Sequence, residues 1–210
     1  MPLTNDQIAR YSRQLIIPKM GGQAQERLLS SRIVVISSRE DLEQPLAYLV
    51  GAGVGDIDLC VPGSDDARLR SLCGRMRDLN PDSTVSYGSL AQVPDLVFAR
   101  LGSAAVVKFA AAEAPGAGAA VVARLDAPGQ IALLPSPPPC IRCAAGGLLD
   151  SFGERSGRAE FMAMVATTEV LKILAAYDGN GAASLLKFVG AQTIAEPLRS
   201  AKADCACSHA

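Results

Sequence analysis

The spacing of apolar positions changes along the chain, and the changes mark the elements. Over residues 4–15, Ile8, Tyr11, Leu15 and Ile16 recur three or four apart behind Thr4 and Asn5, either of which can cap, so a helix is predicted. Gly21-Gly22 breaks it, and a second short helix runs to about Leu29. Ile33-Val34-Val35-Ile36 is an unbroken β-branched run, the pattern of a strand buried on both faces of a parallel sheet. A helix is predicted over residues 41–50, a glycine-rich turn over 51–55 and a strand over 57–61. In residues 66–79, Leu69, Leu72, Cys73, Met76 and Leu79 line one helical face, and Asn80-Pro81 stops the helix. Further strands are predicted at 85–87, 96–99, 119–123 and 130–134, with a helix near 104–112.

The alternation of strand and helix predicts an α/β fold built on a doubly wound, mostly parallel, Rossmann-like sheet. The later part differs. A Pro-rich bend at 135–139 and a loop-like, Gly-rich stretch at 144–156 precede a long helix over 159–176. Residues 185–189 and 193–198 then form an antiparallel pair with a turn near Gly190. One domain over residues 1–210 is expected: a helical arm (1–30), a core (31–135) and a C-terminal part (136–210). There is no internal repeat.

Composition narrows the function. With 49% hydrophobic and 20% charged residues, the 210-residue chain can bury a core. A formal charge of −1, no long run of either sign, 4% aromatics and no Trp leave no footprint for nucleic acid or an anionic membrane. His209 is the one histidine, which excludes His-based triads and His-rich metal sites. The N-terminus lacks a signal-peptide pattern, and no stretch of about 18 residues is free of charge, Pro and Gly, so a cytoplasmic location is expected. Six cysteines in that compartment are expected to be thiols, and their spacing becomes the informative feature.

Cys140-x-x-Cys143 and Cys205-x-Cys207 form two close pairs. Four thiolates can occupy the corners of a zinc tetrahedron and clip the tail to the loop after the sheet, with His209 able to replace one thiolate of the tighter second pair. The plainer alternative is four reduced surface cysteines. Cys60 in a strand and Cys73 on an apolar helix face read as core residues. Gly51-Ala52-Gly53-Val54-Gly55 resembles a dinucleotide fingerprint, but it follows a helix and precedes a strand, so it reads as a helix stop. A phosphate loop belongs directly after the first strand. That place holds Ser37-Ser38-Arg39-Glu40-Asp41-Leu42, which has no glycine to let backbone amides close on a phosphate and two carboxylates to repel one.

Several blocks together resemble the ThiF/MoeB/HesA family, bacterial relatives of ubiquitin-activating enzymes. They are Arg10-Tyr11-Ser12-Arg13-Gln14-Leu15, Gly22-Gln23-Ala24-Gln25-Glu26-Arg27-Leu28, Ser31-Arg32-Ile33-Val34-Val35-Ile36 and Tyr48-Leu49-Val50-Gly51-Ala52-Gly53-Val54-Gly55. Asn80-Pro81, Asp95-Leu96-Val97, Pro139-Cys140-Ile141-Arg142-Cys143, Glu169-Val170-Leu171-Lys172-Ile173-Leu174 and the terminal cysteine pair keep the family's order.

The resemblance implies a homodimer that uses Mg-ATP to adenylate the C-terminal glycine of a ubiquitin-like sulfur carrier, with zinc on two Cys-x-x-Cys pairs. Carried over residue by residue, much of this is missing. The family's Gly-x-Gly-Gly-x-Gly falls on Ser37 to Leu42. Its ribose-binding acid falls on Val61 or the neighbouring Pro62 and Gly63, and the triphosphate-binding Asn, Arg and Lys segment is deleted. The Asp-Cys-Thr-Asp-Asn of the magnesium site falls on Ala99-Arg100-Leu101-Gly102-Ser103, and residues 144–165 hold no cysteine nucleophile.

Arg13 remains, matching the arginine that family members insert into the neighbouring subunit's triphosphate site; without the resemblance it reads as a helix-surface residue in a salt bridge. Either it pairs with Glu40 or Asp41, or it reaches into an intact ThiF/MoeB-like chain. The expectation is a degenerate member without bound ATP. It would act as a non-catalytic binding or dimerisation partner, as a homodimer or with an intact paralogue, in a system with a ubiquitin-like carrier. The alternatives are an active adenylyltransferase and a purely structural homodimer.

Overall fold

The computed structural model describes residues 2–37, 42–61, 65–87, 104–110, 118–124, 130–134, 159–177, 184–189 and 192–197. The chain opens with helix α1 (Asn5–Leu15), whose cap is a full capping box: Gln7 N–H donates to Thr4 Oγ1 (3.2 Å) and Thr4 N–H donates to Gln7 Oε1 (3.1 Å). Helix α2 (Gly21–Ser30) leads into strand β1 (Arg32–Ser37). Two helical crossovers follow: α3 (Glu43–Ala52) to β2 (Asp56–Cys60), and α4 (Asp66–Leu79) to β3 (Thr84–Tyr87). Beyond them lie β4 (Ala104–Ala110), β5 (Gly118–Arg124), β6 (Gln130–Leu134), α5 (Ala159–Leu174), β7 (Ser184–Val189) and β8 (Gln192–Pro197).

The strands form one eight-stranded sheet in the order β3-β2-β1-β4-β5-β6-β7-β8. The α/β class, the helical arm and the terminal antiparallel hairpin are as the sequence predicts. Parallel pairing, however, is confined to β1 with β2 and β2 with β3, and every pairing from β1–β4 onward is antiparallel. Connection length accounts for part of this: α3 and α4 are the crossovers that the parallel neighbours need, whereas β4–β5, β5–β6 and β7–β8 are sequential neighbours joined by short connections; the antiparallel β1–β4 and β6–β7 pairings have no such local reason.

Residues 104–112 are the clearest local correction. A helix is predicted there, but Ala104–Ala110 is strand β4, registered between β1 and β5. Val106, Val107 and Phe109 favour an extended chain, and two flanking ladders satisfy its backbone on both sides. The predicted strand at 96–99 and the loops at 135–158 lie outside the described residues.

The core gathers on one face of the parallel strands. Ile33, Val35, Ile57, Leu59 and Val85 are buried against Leu28, Leu46, Val50, Leu72, Met76, Met162 and Val170 of the helices. On the other face Arg32, Asp56, Thr84 and Ser86 are exposed and Val34 is half-buried, so β1 is not sealed on both sides as its sequence suggests. A polar row crosses this face. Arg32 donates to Asp58 through Nη2 (2.8 Å) and Nε (3.2 Å), and the Ser86 hydroxyl donates to the same carboxylate. Burial works against ionisation of Asp58, but the Ser86 hydroxyl and the Arg32 guanidinium outweigh it and hold the carboxyl below its usual range. On α4, Leu69, Leu72, Cys73 and Met76 point inward as predicted, whereas Leu79 is exposed. Its helix has turned away by the last residue.

The 51–55 turn ends α3 through Gly53 in the left-handed region (φ 87°), with Val54 N–H bonded to Leu49 O (3.1 Å) and Gly53 N–H to Val50 O (3.0 Å). Gly55 is held tighter still. A Cβ there would lie 2.1 Å from the Leu29 carbonyl oxygen, which is backbone and cannot swing aside. Gly55→Ala is therefore expected to cost about 3 kcal/mol, the upper range for forced overpacking. Gly51→Ala, where nothing lies within 4 Å, should be neutral or mildly stabilising. Urea denaturation of both variants checks the contrast, and equal effects would contradict the steric account.

Candidate functional site

In an open α/β sheet, ligands bind at the carboxyl ends of the parallel strands. Here β1 ends at Ser37, and Ser38, Arg39, Glu40 and Asp41 lie outside the described residues. The chain resumes at Leu42, the N-cap of α3, whose side chain makes no capping bond and is buried in the core at 5% exposure. The next residue, Glu43, already supplies a carboxylate to the helix N-terminus, where a phosphate would otherwise be favoured. Arg75 of α4 grips it with two parallel bonds, Nε to Oε1 (2.9 Å) and Nη2 to Oε2 (3.0 Å). At the end of β2, Val61 is buried; it is one of the positions on which the family's ribose-binding acid falls. Pro62 and Gly63 lie outside the described residues.

Cys60 and Cys73 are core residues, as expected. Burial alone pushes the Cys60 thiol up to about 11, and burial is also the main cause that raises Cys73, so neither is a ready thiolate. Cys140, Cys143, Cys205, Cys207 and His209 lie outside the described residues. Among the described residues no cluster of three or more His, Cys, Asp or Glu is placed to hold a metal. No helix among them is long and apolar enough to cross a membrane.

The block Arg10-Tyr11-Ser12-Arg13-Gln14-Leu15 divides between inside and outside. Tyr11 is the buried residue of α1, at 1% exposure. Its hydroxyl donates to Asp82 Oδ2 (3.0 Å) and accepts from Asn80 Nδ2 (2.9 Å). Arg10 forms an ion pair with the same carboxylate, and Gln7 Nε2 reaches its other oxygen (3.4 Å). One turn further on, Gln14 Nε2 donates to Gly51 O (3.3 Å). From α2, the buried Gln25 donates to Ala52 O (2.9 Å), and Tyr11 and Gln25 together lie over Gly53, where a Cβ would come within 2.7–2.8 Å of both. Arg13 is exposed and makes no hydrogen bond or ion pair with a described residue, so the structure does not pair it within its own chain there.

Asp82 is the residue that reading the sequence missed. It follows Asn80-Pro81, which reads in the sequence as a helix stop and a family block. An acid one residue after such a stop, with Arg and Tyr adjacent on a distant helix, carries no local periodic signal. Burial alone would raise the Asp82 carboxyl, but hydrogen bonds from Arg10, Tyr11 and Gln7 outweigh it and hold it below its usual range. Burial raises the Tyr11 hydroxyl, which stays protonated and donates.

No family model matches the chain. Over 58 residues, 27% of this chain, it is 52% identical to the adenylyltransferase and sulfurtransferase MOCS3 of Drosophila willistoni. It is 44% identical over 57 residues to the probable adenylyltransferase/sulfurtransferase MoeZ of Mycobacterium tuberculosis, and 37% identical over 92 residues to MOCS3 of Anopheles gambiae. The matched stretches span 12%, 14% and 20% of those relatives. Among solved structures, E. coli MccB with ATP superposes at a TM-score of 0.53 and 14% identity, covering 96% of this chain and 74% of that one. E. coli MccB with succinimide gives 0.54 at 12% identity, covering 94% and 74%. The resemblance to the ThiF/MoeB/HesA family is borne out, in sequence over part of the chain and in fold over nearly all of it.

The depressed Asp82 carboxyl sets the sign of a pH effect. Its contribution is full above the unfolded value of about 3.9 and is lost as the pH falls through the native one. Asp82→Asn is expected to be destabilised at neutral pH by about 1–2 kcal/mol, since the carboxylate is partly exposed. The gap to the parent should close below about pH 4, which thermal melts across that range read directly.

Proposed function

We propose that this chain, which shares its fold and part of its sequence with ThiF/MoeB-type adenylyltransferases, has given up ATP-dependent adenylation. It serves instead as a non-catalytic binding or dimerisation partner in a system that uses a ubiquitin-like sulfur carrier. One observation carries the reading: at the N-terminus of α3, where this fold receives a phosphate, the chain places a buried leucine and a carboxylate. The Leu42 side chain is packed into the core at the position of the family loop's last glycine, and Glu43, in the first turn, has its carboxylate paired with Arg75. A glycine there leaves room for backbone amides to meet a phosphate, whereas a buried leucine followed by an acid does not. Val61 in place of a ribose-binding acid agrees with this.

The competing reading is an active adenylyltransferase, favoured by the likeness to the adenylyltransferases MOCS3 and MoeZ and by the MccB structure with ATP. Arg13, exposed on α1, is the residue through which the chain would meet a partner, either a second copy or an intact ThiF/MoeB-like chain. A structural zinc on Cys140, Cys143, Cys205 and Cys207 completes the proposal, because four thiols in two close pairs are a soft donor set suited to it.

A thermal-shift titration with Mg-ATP decides between the two readings. A ligand at 100 times its dissociation constant would add about 2.7 kcal/mol, and no rise in Tm is expected. A clear rise, or ATP–pyrophosphate exchange in the presence of a ubiquitin-like carrier, would establish the enzyme instead. For the metal, elemental analysis of protein purified without chelator should give about one zinc per chain, falling in Cys140→Ser together with Tm. Metal-free protein of undiminished stability would refute the zinc site.

A further inference from the structure

Helix α1 is attached to the body in an unusual way. Of its eleven residues Tyr11 is the buried one, and Ile8 is 46% exposed, so little apolar surface holds the helix down. α2, by contrast, buries Ala24, Gln25 and Leu28 in or beside the core. What α1 does have is polar and convergent: Gln7, Arg10 and Tyr11 all bond to the single carboxylate of Asp82, while the Tyr11 hydroxyl also accepts from Asn80 Nδ2 and Gln14 donates to Gly51 O. These four recur at helical spacing and form one side of α1. Asp82 in turn is fixed from behind, because its N–H donates to Asn80 Oδ1 (3.1 Å) while Asn80 Nδ2 donates to Val50 O (2.6 Å) in the core. The carboxylate is therefore rigidly placed, and the helix that grips it is loosely packed.

We propose that Asp82 is the positioning residue of the N-terminal arm: it seats α1 as a separate cooperative unit and fixes the rotation that turns Arg13 outward. Segments with few buried apolar contacts open locally at a lower free energy than the core. α1 meets that description apart from the buried Tyr11 and the polar bonds centred on Asp82, so removing the carboxylate, on which three of its side chains converge, loosens the helix without unfolding α3 or α4. The consequence for Arg13 rests on the reading that this residue meets a partner chain; the seating of α1 does not.

Amide hydrogen exchange on the full chain tests the proposal, with α3 and α4 amides as the internal measure of the core. In Asp82→Ala, amides of α1 are expected to exchange at least tenfold faster while those of α3 and α4 keep their protection. Asp82→Asn, which still accepts from the Tyr11 hydroxyl but loses the ion pair with Arg10, should fall between. Adding Arg10→Ala to Asp82→Ala should change α1 exchange little further, because both substitutions remove the same contact. Unchanged α1 exchange in Asp82→Ala, or equal acceleration of α1, α3 and α4, would overturn the assignment. Arg13→Ala should leave α1 exchange alone and weaken self-association in sedimentation. If it changes neither that nor binding to an intact ThiF/MoeB-like chain, the partner reading falls while the seating of α1 by Asp82 stands.

Discussion

The turn from Asn80 to Ser83 is the point on which the N-terminal half of the molecule is registered. Val50 O, at the end of α3, accepts from both Asn80 Nδ2 (2.6 Å) and Ser83 Oγ (3.3 Å), which ties the end of one crossover helix to the start of β3. Asp82 projects from the same turn and collects α1. Val50 O also accepts from Gly53 N–H (3.0 Å), so what the side chains of Asn80 and Ser83 add is the link between α3 and β3. The close approach of Tyr11 and Gln25 to Gly53 follows from the same arrangement, since a bulkier turn would push the arm off its seat.

That registration gives the sheet its shape. Gly55 N–H bonds to Leu28 O (3.0 Å) and Thr84 N–H to Gly55 O (2.7 Å), so the turn stitches α2, β2 and β3 at one end of the parallel strands. At the opposite end, where open α/β sheets meet ligands, two described arginines bond to the chain's own groups. Arg75 and Glu43 bridge α4 and α3, and Arg70 Nε reaches the Tyr87 hydroxyl (3.3 Å). Guanidinium groups engaged with the chain's own acceptors are not free to receive a triphosphate. The scaffold and the Glu43–Arg75 pair thus belong to one framework, which superposes on the fold of MccB.

The helices and parallel strands of the first half were legible because each carries a local signal. Thr4 and Gln7 spell a capping box, Leu69, Leu72, Cys73 and Met76 keep helical spacing, and a β-branched run makes β1. Gly53 and Gly55 were readable as a helix stop rather than a phosphate loop because their order relative to helix and strand is itself a sequence property. Residues 104–112 failed as a helix because alanine has a strong local helix preference, whereas strand pairing on both sides is a long-range matter that no window contains.

The sequence by itself determined the α/β class, the family resemblance, the arm, the terminal hairpin and the absence of glycine from residues 37–42. Tertiary structure alone decided that one face of β1 stays open, that parallel pairing stops at β1, and that Leu42 packs inward beside a Glu43 already paired with Arg75. It alone also showed that Tyr11 is buried and, with the exposed Arg10, reaches Asp82, while Arg13 stays exposed. The reason is range. Capping, periodicity and turn chemistry act within a few residues and leave their mark in order along the chain. The carboxylate of Asp82 meets Arg10 across 72 positions of sequence, and only folding brings such groups within reach of a hydrogen bond.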